Sequence, residues 1–383
     1  MRSITALAAV AAAGAGATAV SAADYSASGF FSTRVEARAP EAGGGRSNDG
    51  GSASVQSDLG VLLTVRTPTT EFRLAPGVRG GVSTSGSPEF RDLRPRISGS
   101  VSHVGPRQTF GLTAAVTPDF ANSVRFDDLT STVERRNDVL QITGSVGVNY
   151  ALQLDSRNSV SAAGSFRLRD YAESAPDLSR TITVGGDLGL RHALAPRTNL
   201  SLGAGGRFFL TEADNQADSR TVNLRIGGDH RPSPGVTLTG SLGVSQTSRD
   251  GEGGSGTLGV IGGLSASWAA RNDTSLSIGL TQDVDQTTQG DVENVTALRL
   301  GVRHAIDARQ SVGLTAAGSF NTPVFGDGGD RQVATLSPSY SYALSRDWSV
   351  ILSYSLRADQ EDGDFSVSNR VFLRVGWRFA LVP

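Results

Sequence analysis

The feature that most constrains this chain is a spacing. Short turn-forming clusters recur at 66–71, 105–107, 155–158, 195–199, 232–235, 271–273, 307–309 and 345–347, roughly 36–40 residues apart with one interval near 50. Between them, apolar and polar residues alternate with period two, in two runs separated by a more variable polar segment. Period two places one set of side chains on each face of an extended strand. The repeating unit is therefore strand, polar loop, strand, tight turn. Nine such hairpins predict eighteen strands, with sixteen as second choice because the N-terminal third is the least regular.

Short turns on one side and longer loops on the other describe an all-β fold, a transmembrane antiparallel up-and-down β-barrel. Composition agrees. Hydrophobic residues make up 38% and mean hydropathy is −0.15, as expected when each lipid-facing residue has a polar lumen-facing neighbour. The 47 glycines, many within strand patterns, suit a curved wall with close backbone approaches. Cysteine is absent, which excludes a disulfide framework and thiolate metal sites. All 35 basic residues are arginine, and the net charge of −2 gives no electrostatic case for nucleic acid. No cofactor is expected.

Residues 1–23 read differently. Arg2 precedes a small apolar stretch, and Val20-Ser21-Ala22 or Ser21-Ala22-Ala23 offers a small-residue cleavage site, the pattern of a secretory signal peptide. The barrel domain is expected to span 24–383. No later run is long and apolar enough for a transmembrane helix. Export followed by period-two strands points to the outer membrane of a Gram-negative bacterium, with both mature termini periplasmic. The alternation itself is explicit. Val160, Ala162, Gly164, Phe166 and Leu168 oppose Ser161, Ala163, Ser165, Arg167 and Arg169, and Val371, Leu373, Val375 and Trp377 oppose Phe372, Arg374 and Arg378. Each apolar run is near the 9–11 residues that a tilted strand needs to cross the hydrocarbon.

The polar face is rich in arginine. Predicted inward positions include Arg73, Arg79, Arg94, Arg96, Arg167, Arg169, Arg191, Arg207, Arg225, Arg299, Arg303, Arg357, Arg374 and Arg378, against three inward acids, Asp58, Asp187 and Asp229. Guanidinium groups on a low-dielectric wall raise the local anion concentration, and charged rings of this kind set pore selectivity. The competing reading is that they pair with infolded acidic loops. External loops are expected near 38–52, 84–91, 119–138, 172–179, 213–219, 249–255, 286–292, 321–331 and 360–366. Trp268, Trp348, Trp377 and Phe379 fall near tight turns or the C-terminus, where a periplasmic aromatic girdle is expected. His103, His192, His230 and His304 each precede a tight turn on separate hairpins, so they form an interfacial set rather than a metal site.

The chain resembles, in this architecture, the porin-like outer-membrane β-barrel proteins of Gram-negative bacteria, with no motif naming a subfamily. In general porins the third external loop folds into the barrel and narrows the pore. That resemblance implies a candidate constriction in 119–138, with Asp127, Asp128 and Glu134 facing the arginine wall; an extended hairpin above the membrane is the other reading. Gly376, Trp377 and Phe379 are similar to the last-strand pattern that barrel-assembly machinery reads, although Leu381-Val382-Pro383 replace a terminal aromatic. No nucleophile, metalloprotease or phosphate-loop motif occurs, so no enzyme is expected. The expected function is passive diffusion of small hydrophilic solutes, with anion preference. The alternatives are a barrel for export or assembly of an exopolysaccharide and a non-conducting surface barrel. The expected partners are outer-membrane lipid and lipopolysaccharide, the assembly machinery, and small polar solutes or a polysaccharide.

Overall fold

Eighteen antiparallel strands follow one another in chain order. They are β1 (Asp24–Arg38), β2 (Ser52–Arg66), β3 (Thr70–Ser83), β4 (Phe90–Val104), β5 (Gln108–Phe120), β6 (Leu140–Gln153), β7 (Asn158–Tyr171), β8 (Thr181–Ala195), β9 (Thr198–Thr211), β10 (Ser219–Ser233), β11 (Val236–Arg249), β12 (Thr257–Arg271), β13 (Thr274–Gln286), β14 (Val292–Ala305), β15 (Gln310–Pro323), β16 (Arg331–Ala343), β17 (Trp348–Glu361) and β18 (Asp364–Val382). The structure, a computed structural model, describes residues 24–38, 52–83, 90–120, 140–171, 180–212, 217–250, 256–271, 273–286, 292–325, 329–361 and 364–382. Each strand pairs with its neighbours in sequence, and β1 pairs with both β2 and β18. The register Asp24↔Arg66 on one side and Arg34↔Arg374 on the other closes the sheet into a barrel without an edge. Closure gives every strand a partner on both sides, which an open sheet in lipid cannot do.

The turn clusters lie where the spacing places them. In the turn after β6, Asp155 Oδ1 accepts from the backbone N–H groups of Arg157 (2.7 Å) and Asn158 (2.8 Å). Asp307 repeats the device after β14 with Arg309 and Gln310. An aspartate that binds backbone N–H groups two and three residues on is a short stable turn in itself. The described ends of β1 and β18 share the tight-turn end, since Ala27 pairs with Val382.

The wall is turned inside out relative to a water-soluble domain. Leu258, Leu188 and Leu264 are 76%, 66% and 65% exposed, and exposed large apolar side chains occur on every strand but β7. In water such a continuous apolar exterior would drive aggregation, whereas a bilayer is its matching solvent. The strands are longer than the sequence patterns imply, mostly 13–15 residues and 19 in β18. Apolar alternation marks only the lipid-facing band. Beyond that band the hydrogen-bond ladder continues with polar residues on both faces.

One pair of strands departs from the cylinder. The β12–β13 register ends at Gly262↔Gln282, while β13–β14 pairing runs on to Gln286↔Val292. The freed segment leans inward. Its Val284 and Val292 are 2% and 5% exposed, and they cluster with Phe209 and Ile261, 0% and 1% exposed, with Val324 and Phe325 packed alongside. Phe209 and Ile261 belong to the inner face of β9 and β12, alternating with the exposed Phe208 and Val260.

Candidate functional site in the barrel interior

Alternation decides which side chains face inward. On β14, Leu298, Leu300 and Val302 are exposed on the outside, so Arg299 and Arg303 lie on the inner face. The same parity places Arg73, Arg79, Arg94, Arg96, Arg167, Arg169, Arg191, Arg207, Arg225, Arg357, Arg374 and Arg378 on the inner face of their strands. Several stand opposite glycine across the ladder: Arg96↔Gly77, Arg207↔Gly185, Arg299↔Gly279, and Arg225 between Gly203 and Gly243. A glycine opposite leaves the wall bare, so a long stem can lie along it. A Cβ at Gly243 would run into the Arg225 stem and the Leu224 carbonyl oxygen.

A cavity of roughly 650 Å³ lies against the wall formed by β1–β4 and β14–β18. Arg34, Arg79, Arg96, Arg299, Arg357 and Arg374 line it, with Asp58 as the carboxylate among its lining residues. Asp58 accepts from Arg79 at 2.8 Å and lies 3.5 Å from Arg96. Arg34 pairs with Glu36 at 3.2 Å and stacks on the Phe372 ring at 3.9 Å. Arg357 reaches Asp359 at 3.0 Å, and Arg374 reaches the Ser32 hydroxyl at 3.5 Å. Among the described residues no carboxylate pairs with Arg299 or Arg374. Arg96 lies 5.5 Å from the Phe30 ring centroid, and that ring occupies the space where a Gly60 side chain would stand.

The other predicted residues are spread around the barrel. Arg73 pairs with Glu71 near a tight turn, and Arg191 with Asp229. Arg207 and Arg225 share Asp283, at 3.3 and 3.1 Å. Trp348 and Trp377 stack at 5.4 Å with planes 10° apart, and Phe379 lies 4.5 Å from Trp377. Trp268 is 50% exposed on β12, near the same end of the barrel. Each histidine makes one repeated cross-strand contact through Nδ1, to Thr70, Asn158, Thr198 or Thr274, at 2.8–2.9 Å. Among the described residues, no three His, Cys, Asp or Glu side chains converge on a metal position.

Asp127, Asp128 and Glu134 lie outside the described residues. Among the described residues, the inward-reaching segment is instead the β13–β14 hairpin, whose Val284 carbonyl oxygen accepts from Arg207 Nη1 at 3.0 Å. Sequence reasoning missed Arg34, Glu36, Asp283 and Asp359 as interior residues. Ser32, Arg34 and Glu36 carry the same alternation as other strands, so β1 was readable. Asp283 and Asp359 sit at strand ends beside polar loops, and their pairing with arginines on other strands leaves no local pattern.

No protein-family model matches the chain, and no curated protein matches it in sequence. Solved structures do match in fold. OpdL of Pseudomonas aeruginosa superposes with a TM-score of 0.52 at 12% identity, covering 94% of this chain and 99% of that one. OccAB3 of Acinetobacter baumannii gives 0.51 at 10% identity, with 94% and 100% covered. OccK2 (OpdF) of Pseudomonas aeruginosa gives 0.50 at 11% identity, with 94% and 98% covered. At such identities the likeness is one of fold, and it extends along nearly the whole of each chain. With the closed register and the apolar exterior, it shows that this chain has the fold of these structures, a closed antiparallel β-barrel, here of eighteen strands.

Proposed function

We propose that this barrel sits in the outer membrane of a Gram-negative bacterium, with its termini periplasmic, and conducts small hydrophilic solutes by passive diffusion with a preference for anions. The observation that carries the preference is the cavity lining: of its six arginines, Arg34, Arg79, Arg96 and Arg357 pair with Glu36, Asp58 or Asp359, while Arg299 and Arg374 have no carboxylate partner among the described residues. These two guanidinium groups, without a carboxylate partner among the described residues, leave a positive potential that a passing anion can use. A low-dielectric wall around water focuses such a field. The partners of this reading are outer-membrane lipid and lipopolysaccharide on the apolar exterior, and the barrel-assembly machinery at the β18 terminus.

The test is planar-bilayer conductance of the refolded protein, with reversal potential measured across a KCl gradient. The expected result is steady conductance with chloride favoured, shifting toward potassium when Arg299→Glu and Arg374→Glu are combined. An open, potassium-selective pore in the wild type overturns the anion preference. No conductance from protein shown to be folded overturns diffusion itself, and leaves a polysaccharide-export or non-conducting barrel as the better account.

A further inference from the structure

Arg207 on β9 and Arg225 on β10 stand on neighbouring strands with their guanidinium groups turned toward one carboxylate. That carboxylate, Asp283, comes from neither strand but from the hairpin that has left the wall. Its Oδ2 accepts from Arg207 Nη2 at 3.3 Å, and its Oδ1 from Arg225 Nη2 at 3.1 Å and from the Val284 backbone N–H at 2.9 Å. Two guanidinium groups converging on one carboxylate make the donor geometry that selects planar or tetrahedral oxyanions. Arg225 engages Asp283 through Nη2, and its buried Nε has no hydrogen-bond partner among the described residues.

Two facts separate the clamp from the anchor. The three charged side chains are about one-third exposed, at 33%, 34% and 38%. Ion pairs with that much water around them contribute little net stability and exchange readily. The hairpin is anchored instead by Phe209, Ile261, Val284 and Val292, which are all but inaccessible. Removing Asp283 from its arginines therefore does not require the hairpin to leave the lumen.

We infer that Arg207 and Arg225 form an oxyanion-binding site in the barrel interior, masked by the chain's own Asp283, which an entering oxyanion displaces. The site lies outside the cavity lined by Arg299 and Arg374, and it deepens the anion-channel reading on which it rests. It gives that channel a second station whose affinity is lowered by an internal competitor.

The experiment is isothermal titration of sulfate into the folded, detergent-solubilised protein, with folding checked by circular dichroism. Asp283→Asn keeps shape and removes the competing charge. It should tighten the interior sulfate site about fivefold, the scale of one exposed ion pair. Adding Arg207→Gln and Arg225→Gln should abolish that gain, and Asp283→Ser provides the same comparison if Asp283→Asn does not fold. Unchanged sulfate affinity in the Asp283 variants overturns the inference, as does a gain that survives loss of both arginines. Titration reads the site without current, so a non-conducting protein that shows the gain defeats the channel and leaves the site standing.

Discussion

At the scale of single residues, the tight turns are held by side chains that substitute for backbone partners. Asp155 accepts from the Asn158 side-chain amide at 2.7 Å and from the backbone N–H groups of Arg157 and Asn158. The Asn158 amide, followed by the two backbone N–H groups, holds the Asp155 carboxyl below its ordinary pKa. A depressed folded-state pKa means that the ionised form is favoured by folding. Its contribution is present above the unfolded-state pKa and is lost as pH falls through the folded-state value. Asp155→Ala should therefore lower the thermal unfolding temperature at neutral pH, and the gap to wild type should close on acidification below the carboxylate range. A gap that persists in acid would assign the effect to something other than the charge. The stacked Trp348 and Trp377 give a second residue-scale prediction. Offset or stacked aromatic pairs add about 0.5–1.5 kcal/mol beyond their burial. A double-mutant cycle with Leu at both positions should return a coupling of that size in urea unfolding from lipid vesicles.

At the scale of elements, the β13–β14 hairpin is the segment whose position was least evident from the chain. Its alternation continues smoothly through Asp283 and Val284, and nothing local says that the ladder to β12 stops at Gln282. The decisive partners, Phe209 and Ile261, lie on strands distant in sequence. Their apolar character on a largely polar inner face is a sequence signal that something covers them. Truncating a buried Phe in a packed cluster costs about 3–5 kcal/mol. Phe209→Ala should accordingly raise hydrogen exchange at residues 283–286 and 292–295 while the strands on the far wall stay protected. Uniform loosening of the whole barrel would contradict a local anchor. Gly243→Val should act on the same element through Arg225. The added side chain meets both the arginine stem and the Leu224 carbonyl oxygen, so the Asp283 contact should be lost together with a local shift of the β10–β11 ladder, read as hydrogen exchange confined to those two strands.

At the scale of the whole molecule, the barrel carries its charge asymmetrically. Among the described residues, Arg299 and Arg374 face one cavity without a carboxylate partner, while on the opposite side Arg207 and Arg225 share the single carboxylate of Asp283. Selectivity should consequently respond unequally to charge reversal. Arg299→Glu should shift the reversal potential toward potassium more than Arg191→Glu does, since Arg191 is already paired with Asp229. Equal shifts would mean that the field is averaged over the lumen rather than set at one wall.

Much of this was available from the chain alone. Strand number and turn positions follow from period-two alternation and from turn chemistry, because both act within a few residues. Lipid outside and water inside then force the apolar set to one face, so parity carries through every strand. What only the tertiary structure decided is which inward charges meet. Closure of β1 on β18 brings Arg34 beside Arg374, and the leaning hairpin brings Asp283 to Arg207 and Arg225 from more than fifty residues away in sequence. Alternation assigns a side chain to a face. The curvature of the wall, and the point where one strand leaves it, determine its neighbours across the lumen.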